Sequence, residues 1–198
     1  IKQLVYGTPA LKKVRLLEGW SVLEIAEHLN KVMGFDSKEI IALSQDRNFL
    51  KKHNIEASSI EGYLFPDTYL FFEGDSPISV LNNLVNEYKK FWKGAFRDRA
   101  RELNMTEHEV VTLASIIEGE AIYDSERPTI SGVYHNRLDI GMKLQADPTI
   151  QYIIDDGPRR LLNRDLRIDS PYNTYIYAGL PPGPINSPGE KSLMAALY

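Results

Sequence analysis

The sequence predicts an α+β domain. Apolar residues recur at helical spacing over several long stretches, while strand-like alternation is confined to two short, separated segments. The first segment, residues 11–19, alternates around Val14 and Leu16 and ends in a Glu18-Gly19 turn. Ser21 then caps a helix, with Glu24 as its capping-box partner, and Val22, Ile25, Ala26, Leu29 and Val32 form one buried stripe. A short helix follows Asp36-Ser37 through Ile40, Ile41 and Leu43, and residues 44–60 are too mixed to assign. In the second segment Tyr63, Phe65, Tyr69 and Phe71 alternate, with Pro66 excluding a regular central strand.

A long amphipathic helix is predicted over Ser79–Phe96, with Leu81, Leu84, Val85, Tyr88 and Trp92 in register and 97–105 as a connector. Thr106 and Glu109 form a second capping box, and Val110, Leu113, Ala114, Ile117 and Ala121 follow on one face. Glu126–Leu138 reads as helix, with Pro128 tolerated in its first turn. From Gly141 short elements alternate with turns, and the last eight residues start a helix.

Composition narrows the function. The 198 residues carry 23 basic and 27 acidic side chains, a net charge of −4, and a nucleic-acid binder normally shows a basic excess. A chain of this length buries roughly 70% of its unfolded surface, so its core needs no staple. The absence of cysteine excludes disulfides, thiolate metal sites and cysteine nucleophiles. No run approaches the ~20 apolar residues of a membrane span. The chain starts at Ile1 rather than Met, as expected of a piece of something longer.

Two regions stand out chemically. Between Ser170 and Gly189 five prolines surround Tyr172, Asn173, Tyr175 and Tyr177. Such a segment is either an ordered surface loop or the rigid wall of a carbohydrate groove, where Tyr rings meet sugar CH faces and amides meet hydroxyls. The second region is the helix end 113–121, LASIIEGEA, with Glu118 and Glu120. At 100° per residue these stand about 200° apart and cannot reach one substrate atom together. Both fall at the border of the buried stripe, about 80° to either side of it. Their neighbours differ: Glu120 has Ile116 and Ile117 one turn back, whereas Glu118 has Ala114 and Ser115. A carboxyl beside isoleucines loses hydration and holds its proton to higher pH, as a general acid must. Gly119 between them is a weak helix residue and marks a place for the helix to fray.

Other chemistries lack support. His28, His53, His108 and His135 are scattered without zinc-ligand spacing, and there is no nucleophile elbow, phosphate loop or dinucleotide fingerprint. Ser115 lies mid-helix without an evident base, and LQADPT at 144–149 reads by itself as a turn.

Four segments in order, EGYLFPDTY (61–69), LASIIEGEA (113–121), ERPTISGVYHNRLDIGMKLQADPTIQY (126–152) and SPYNTYIYAGLPPGPINSPG (170–189), closely resemble the endolytic murein transglycosylase, or YceG-like, family. The resemblance runs from about Val14 to the chain end. It implies a strand-helix portion over 1–60 next to a LysM-like region, and a catalytic domain over 61–198. Relatives continue past SLMAAL into a strand-rich stretch, so that domain is expected to be C-terminally truncated here. An N-terminal membrane anchor upstream and an extracytoplasmic location are implied, as are peptidoglycan glycan strands as substrate and cell-wall synthases as partners. No metal or organic cofactor and no nucleic acid is expected.

The family's catalytic glutamate is the second of its E-x-E motif, which falls on Glu120. Gly119 stands where relatives often carry Lys. The implied reaction is endolytic cleavage of the MurNAc–GlcNAc bond with 1,6-anhydro-MurNAc ends, which needs no second carboxylate to activate water. Gln145, Asp147, Tyr172, Asn173 and Thr174 are expected to orient sugar or peptide groups. Glu118, Glu126 and Arg137 are expected to support the site, through function or structure. The alternatives are a hydrolytic muramidase, with Asp147 or another carboxylate positioning water, and a non-catalytic glycan-binding or scaffold module.

Overall fold

The computed structural model describes residues 10–198. Strand β1 (Leu11–Arg15) pairs antiparallel with β2 (Thr68–Phe72), Val14 facing Tyr69 across the ladder. The first nine residues of the 1–60 portion lie outside the described residues.

Helix α1 (Val22–Met33) begins with the Ser21–Glu24 capping box and stops at Gly34, which adopts φ +79°. Asp36 caps α2 (Ser37–Ser44), and Asp46 caps α3 (Arg47–Lys52) by accepting from the Phe49 amide at 2.7 Å. The unassigned stretch 44–60 thus holds one short helix, whose Phe49 and Leu50 are buried.

Helix α4 (Pro77–Phe91) begins two residues before the predicted start, because Ser76 caps it and Pro77 occupies its first turn. It ends at Trp92 rather than continuing to Phe96. The predicted connector is largely helix α5 (Gly94–Glu102), and Phe96 folds back to stack on Phe91 at 4.6 Å. Only Ala100 of α5 is buried, so that helix lacks the apolar stripe by which sequence reveals a helix.

Helix α6 (Glu107–Glu120) is the centre of the fold, started by the Thr106–Glu109 capping box. A one-sided stripe is predicted there, but every residue from Val110 to Ile117 is buried. Helices α7 (Arg127–Asp139), α8 (Asp147–Ile153) and α9 (Glu190–Leu197) surround it, with a 3-10 turn at Asp124–Glu126 before α7. The proline-rich segment closes the remaining side. Ser115 Oγ accepts from the Ile185 amide at 3.1 Å, and Asn186 Nδ2 donates to the Ser115 carbonyl at 2.9 Å. The hydroxyl and carbonyl of Ser115 thus hold this loop against α6.

Among the described residues no helix is long and apolar enough to cross a membrane.

Candidate active site

The two glutamates at the end of α6 have different surroundings. Glu118 is the buried one, its side chain 6% exposed. Its Oε1 accepts from Arg127 Nη2 at 2.7 Å and its Oε2 from the Gly189 amide at 2.9 Å. Glu118 thus ties α6 to α7 and to the start of α9. The neighbour-based expectation that Glu118 is the better solvated carboxyl is corrected, because Arg127 and Gly189 reach it from distant parts of the chain. A groove of 1030 Å³ opens on this side, lined by Glu118, Asp124, Arg127, Met194 and Tyr198 among others, but its most buried carboxylate is already committed to an arginine.

Glu120, the last residue of α6, is exposed to solvent. Partial burial, and then the negative charge of Asp147, push its proton affinity above the usual carboxylate range, while Arg137 works the other way. A raised proton affinity together with access to solvent suits a general acid.

Gly119 does not fray the helix, which runs through Glu120. A Cβ on Gly119 would lie 2.7 Å from Pro148 Cβ, so the missing side chain lets α8 approach the end of α6. Glu120 and Asp147 are the residues next to this contact, on α6 and α8 respectively. LQADPT is accordingly not a free turn: Pro148 sits in the first turn of α8.

Gln145 turns the chain into α8 in the left-handed region, at φ +50°. Its amide donates to the Thr174 carbonyl at 3.0 Å, leaving Leu144 and Ala146 buried and Gln145 and Asp147 exposed. Arg137 donates to the Leu144 carbonyl and so holds the same turn from α7.

Asn173 and Thr174, expected to orient substrate, point inward. Asn173 is fully buried, and its amide donates to the Leu166 and Ile168 carbonyls at 3.2 and 2.7 Å while accepting from the Tyr175 amide at 2.9 Å. Thr174 Oγ1 accepts from the Ala146 amide at 3.0 Å and meets Thr149 Oγ1 at 2.9 Å. These two residues build the wall rather than face a ligand. Tyr172 is half-buried against Tyr152, ring centroids 5.0 Å apart. Glu126 Oε2 accepts from the amides of Ile122 and Tyr123 at 3.2 and 3.1 Å, which shapes the turn just after Glu120.

Two tyrosines absent from the predicted set belong to this constellation. Tyr175 donates its hydroxyl hydrogen to Asp147 Oδ1. Burial, that bond, and the charges of Asp147 and Glu120 push its own ionisation up to about 12, opposed by Arg137. Tyr134 is buried on α7, and its ionisation is raised by burial, then by Glu120, opposed by Arg137, and raised further by Tyr175 and Asp147. Its sequence signal was its position three residues before Arg137, on the same helix face. The structure therefore gathers Glu120, Arg137 and Asp147 with Tyr134 and Tyr175, and leaves Glu118 and Glu126 as struts. Among the described residues no group of three or more His, Cys, Asp or Glu is placed to hold a metal ion.

A family model described as the YceG-like family matches residues 1–198. The chain belongs to the YceG-like family. An endolytic murein transglycosylase of Bacillus subtilis (strain 168) is 32% identical over 200 residues, covering 94% of this chain and 56% of that protein. The endolytic murein transglycosylase of Streptococcus pneumoniae serotype 2 (strain D39) is 29% identical over 215 residues, covering 96% of this chain and 39% of that protein. The chain thus spans only part of the length of these YceG-like relatives. A 2.6 Å crystal structure of a YceG-like protein from Listeria monocytogenes superposes with a TM-score of 0.86 at 31% identity, over 100% of this chain and 69% of that one.

Proposed function

We propose that this YceG-like chain carries the catalytic site of an endolytic murein lytic transglycosylase, with Glu120 as its acid and base. The observation that carries this is the setting of Glu120: a solvent-reachable carboxyl whose proton affinity is raised by partial burial and then by Asp147. The names of the Bacillus and Streptococcus relatives supply the substrate class, murein.

Glu120 gives its proton to the glycosidic oxygen between MurNAc and GlcNAc as the C1–O bond breaks with oxocarbenium character. The resulting carboxylate then takes the proton of the MurNAc C6 hydroxyl while O6 bonds to C1. The 1,6-anhydro ring closes, no water is consumed, and Glu120 ends protonated as it began. Gln145 and Asp147, exposed beside Glu120, and Tyr172 on the wall are the groups available to contact sugar. On this reading the protein works on nascent glycan strands on the extracytoplasmic side of a membrane that anchors it, beside cell-wall synthases.

Purified sacculi incubated with the protein and analysed by mass spectrometry test the proposal. Anhydromuropeptides are expected, falling about 10²–10⁴-fold in Glu120→Gln. Reducing MurNAc ends instead indicate hydrolysis, and glycan binding without cleavage, unchanged in Glu120→Gln, indicates a binding module.

A further inference from the structure

Tyr175 and Asp147 meet where the proline-rich wall joins the start of α8. The Gln145 amide donates to the Thr174 carbonyl and the Ala146 amide to Thr174 Oγ1, both at 3.0 Å, and Thr149 Oγ1 meets the same hydroxyl at 2.9 Å. Thr174 is thus fastened to residues on either side of Asp147. The next residue of the wall, Tyr175, donates its hydroxyl hydrogen to Asp147 Oδ1. From the other direction Pro148 packs against Gly119 with no room for a Cβ, which seats Asp147 next to the end of α6.

Carboxylates that act as struts in this molecule have both oxygens engaged. Glu118 accepts from Arg127 on one oxygen and from the Gly189 amide on the other. Asp165, also buried, receives Arg159 on both. Asp147 differs. It is exposed, and among the described residues its side chain has the Tyr175 phenol on Oδ1 as hydrogen-bond partner and no ion pair. A carboxylate oxygen has lone pairs for further donors, and one that no cation neutralises keeps its full strength as an acceptor. The phenol fixes where the group points, and Oδ2 stays open to a donor from outside the fold.

We infer that Tyr175 is a positioning residue for substrate: it orients Asp147 so that Oδ2 accepts a hydrogen bond from a hydroxyl or acetamido N–H of the sugar beside Glu120. Tyr175 acts through Asp147 and touches no substrate atom. Holding an exposed side chain in one rotamer before the sugar arrives removes an ordering cost from binding. The inference deepens the transglycosylase proposal and rests on it for the identity of the sugar.

The test is affinity for soluble murein glycan strands, measured by titration calorimetry on the full chain carrying Glu120→Gln so that nothing is cleaved. Asp147→Ala in this background is expected to weaken binding about 10-fold or more, as loss of a charge-assisted hydrogen bond does. Tyr175→Phe keeps the ring, loses the hydroxyl and is expected to weaken binding about threefold to tenfold. Added to Asp147→Ala, it changes nothing further, because no carboxylate is left to orient. A purely structural role in the wall would weaken binding in both backgrounds. Tyr177→Phe removes the same kind of bond, to Asp169 Oδ1 at 2.7 Å, and as the matched control leaves affinity in place.

With Glu120 restored, Tyr175→Phe raises KM and leaves kcat nearly constant. Wild-type affinity in Tyr175→Phe, or an equal loss with and without Asp147, overturns the inference. A coupled loss of affinity in a chain that forms no anhydromuropeptides leaves the positioning role standing and removes the transglycosylase proposal instead.

Discussion

Gly62 and Pro184 occupy each other's space: a Cβ on Gly62 would lie 2.4 Å from Pro184 Cβ. Gly62 is also in the left-handed region, at φ +83°. The contact brings the EGY segment beneath the proline-rich wall. Nearby, His108 bridges the same two segments, accepting at Nδ1 from the Tyr63 hydroxyl (2.7 Å) and donating from Nε2 to the Pro182 carbonyl (2.8 Å).

Gly62→Ala combines a disfavoured backbone angle with a clash against a rigid ring. It is expected to cost about 2–4 kcal/mol, read as a lower midpoint in urea unfolding. An unchanged midpoint would show that the wall is free to withdraw.

The Glu118–Arg127 pair is shielded, at 6% and 11% side-chain exposure. Removing one member by Glu118→Ala leaves a buried guanidinium short of a partner and is expected to cost about 2–4 kcal/mol. A double-mutant cycle of Glu118→Gln with Arg127→Met should return a coupling above about 1 kcal/mol. The same cycle on Glu87 and Lys90, where the lysine is 72% exposed, should return about 0.5 kcal/mol or less.

Asn173→Ala deletes three hydrogen bonds from a side chain with no exposure, stranding two carbonyls. An expected loss of about 2–4 kcal/mol, seen as earlier thermal unfolding, separates a wall-building residue from a sugar ligand. A sugar ligand would give an unchanged melting curve with weakened glycan binding.

Two buried groups give stability opposite dependences on pH. Glu61 is held protonated up to about 8, against an ordinary 4.5, mainly by burial; the Val22 and Gly62 amides oppose this and the Glu24 charge adds to it. The folded state then binds the extra proton, so its contribution is complete below pH 4.5 and is lost as pH rises through 8. His53 has the opposite sign. Burial, then Lys89 and Lys52, lower its proton affinity from the ordinary 6.5, partly offset by its bond to Asn82. The unfolded state binds the proton first, so stability declines as pH falls from 6.5 toward the folded value. Urea unfolding between pH 4.5 and 8.5 should show Glu61→Gln flattening the alkaline loss and His53→Gln the acid loss.

What was legible in the sequence was local. The boxes at Ser21–Glu24 and Thr106–Glu109 lie within four residues, and both helices start where those boxes place them. Helix α3 is only six residues long, and α5 is polar nearly all round, so neither has a readable period. Pro148 was ambiguous because proline serves a turn and the first turn of a helix equally well. At the candidate site, the direction of the Glu120 shift could be read from its own helix. The burial of Glu118 could not, since Gly189 arrives from 71 residues away. Asn173 and Thr174 have the residue types of sugar ligands, and only the packed chain shows their polar atoms spent on backbone. Tyr175 acquires its partner across 28 residues, beyond any periodicity.

The β1–β2 ladder joins residues 11–15 to residues 68–72, and it has company. Leu16 donates to the Asp67 carbonyl, Gly19 and Trp20 exchange bonds with Ser187, and the Val22 amide rests on Glu61. A protease cutting the exposed linker at Ser58 would therefore produce a nicked molecule rather than two products. Its pieces would comigrate on a sizing column, separate only in denaturant, and melt in a single cooperative transition.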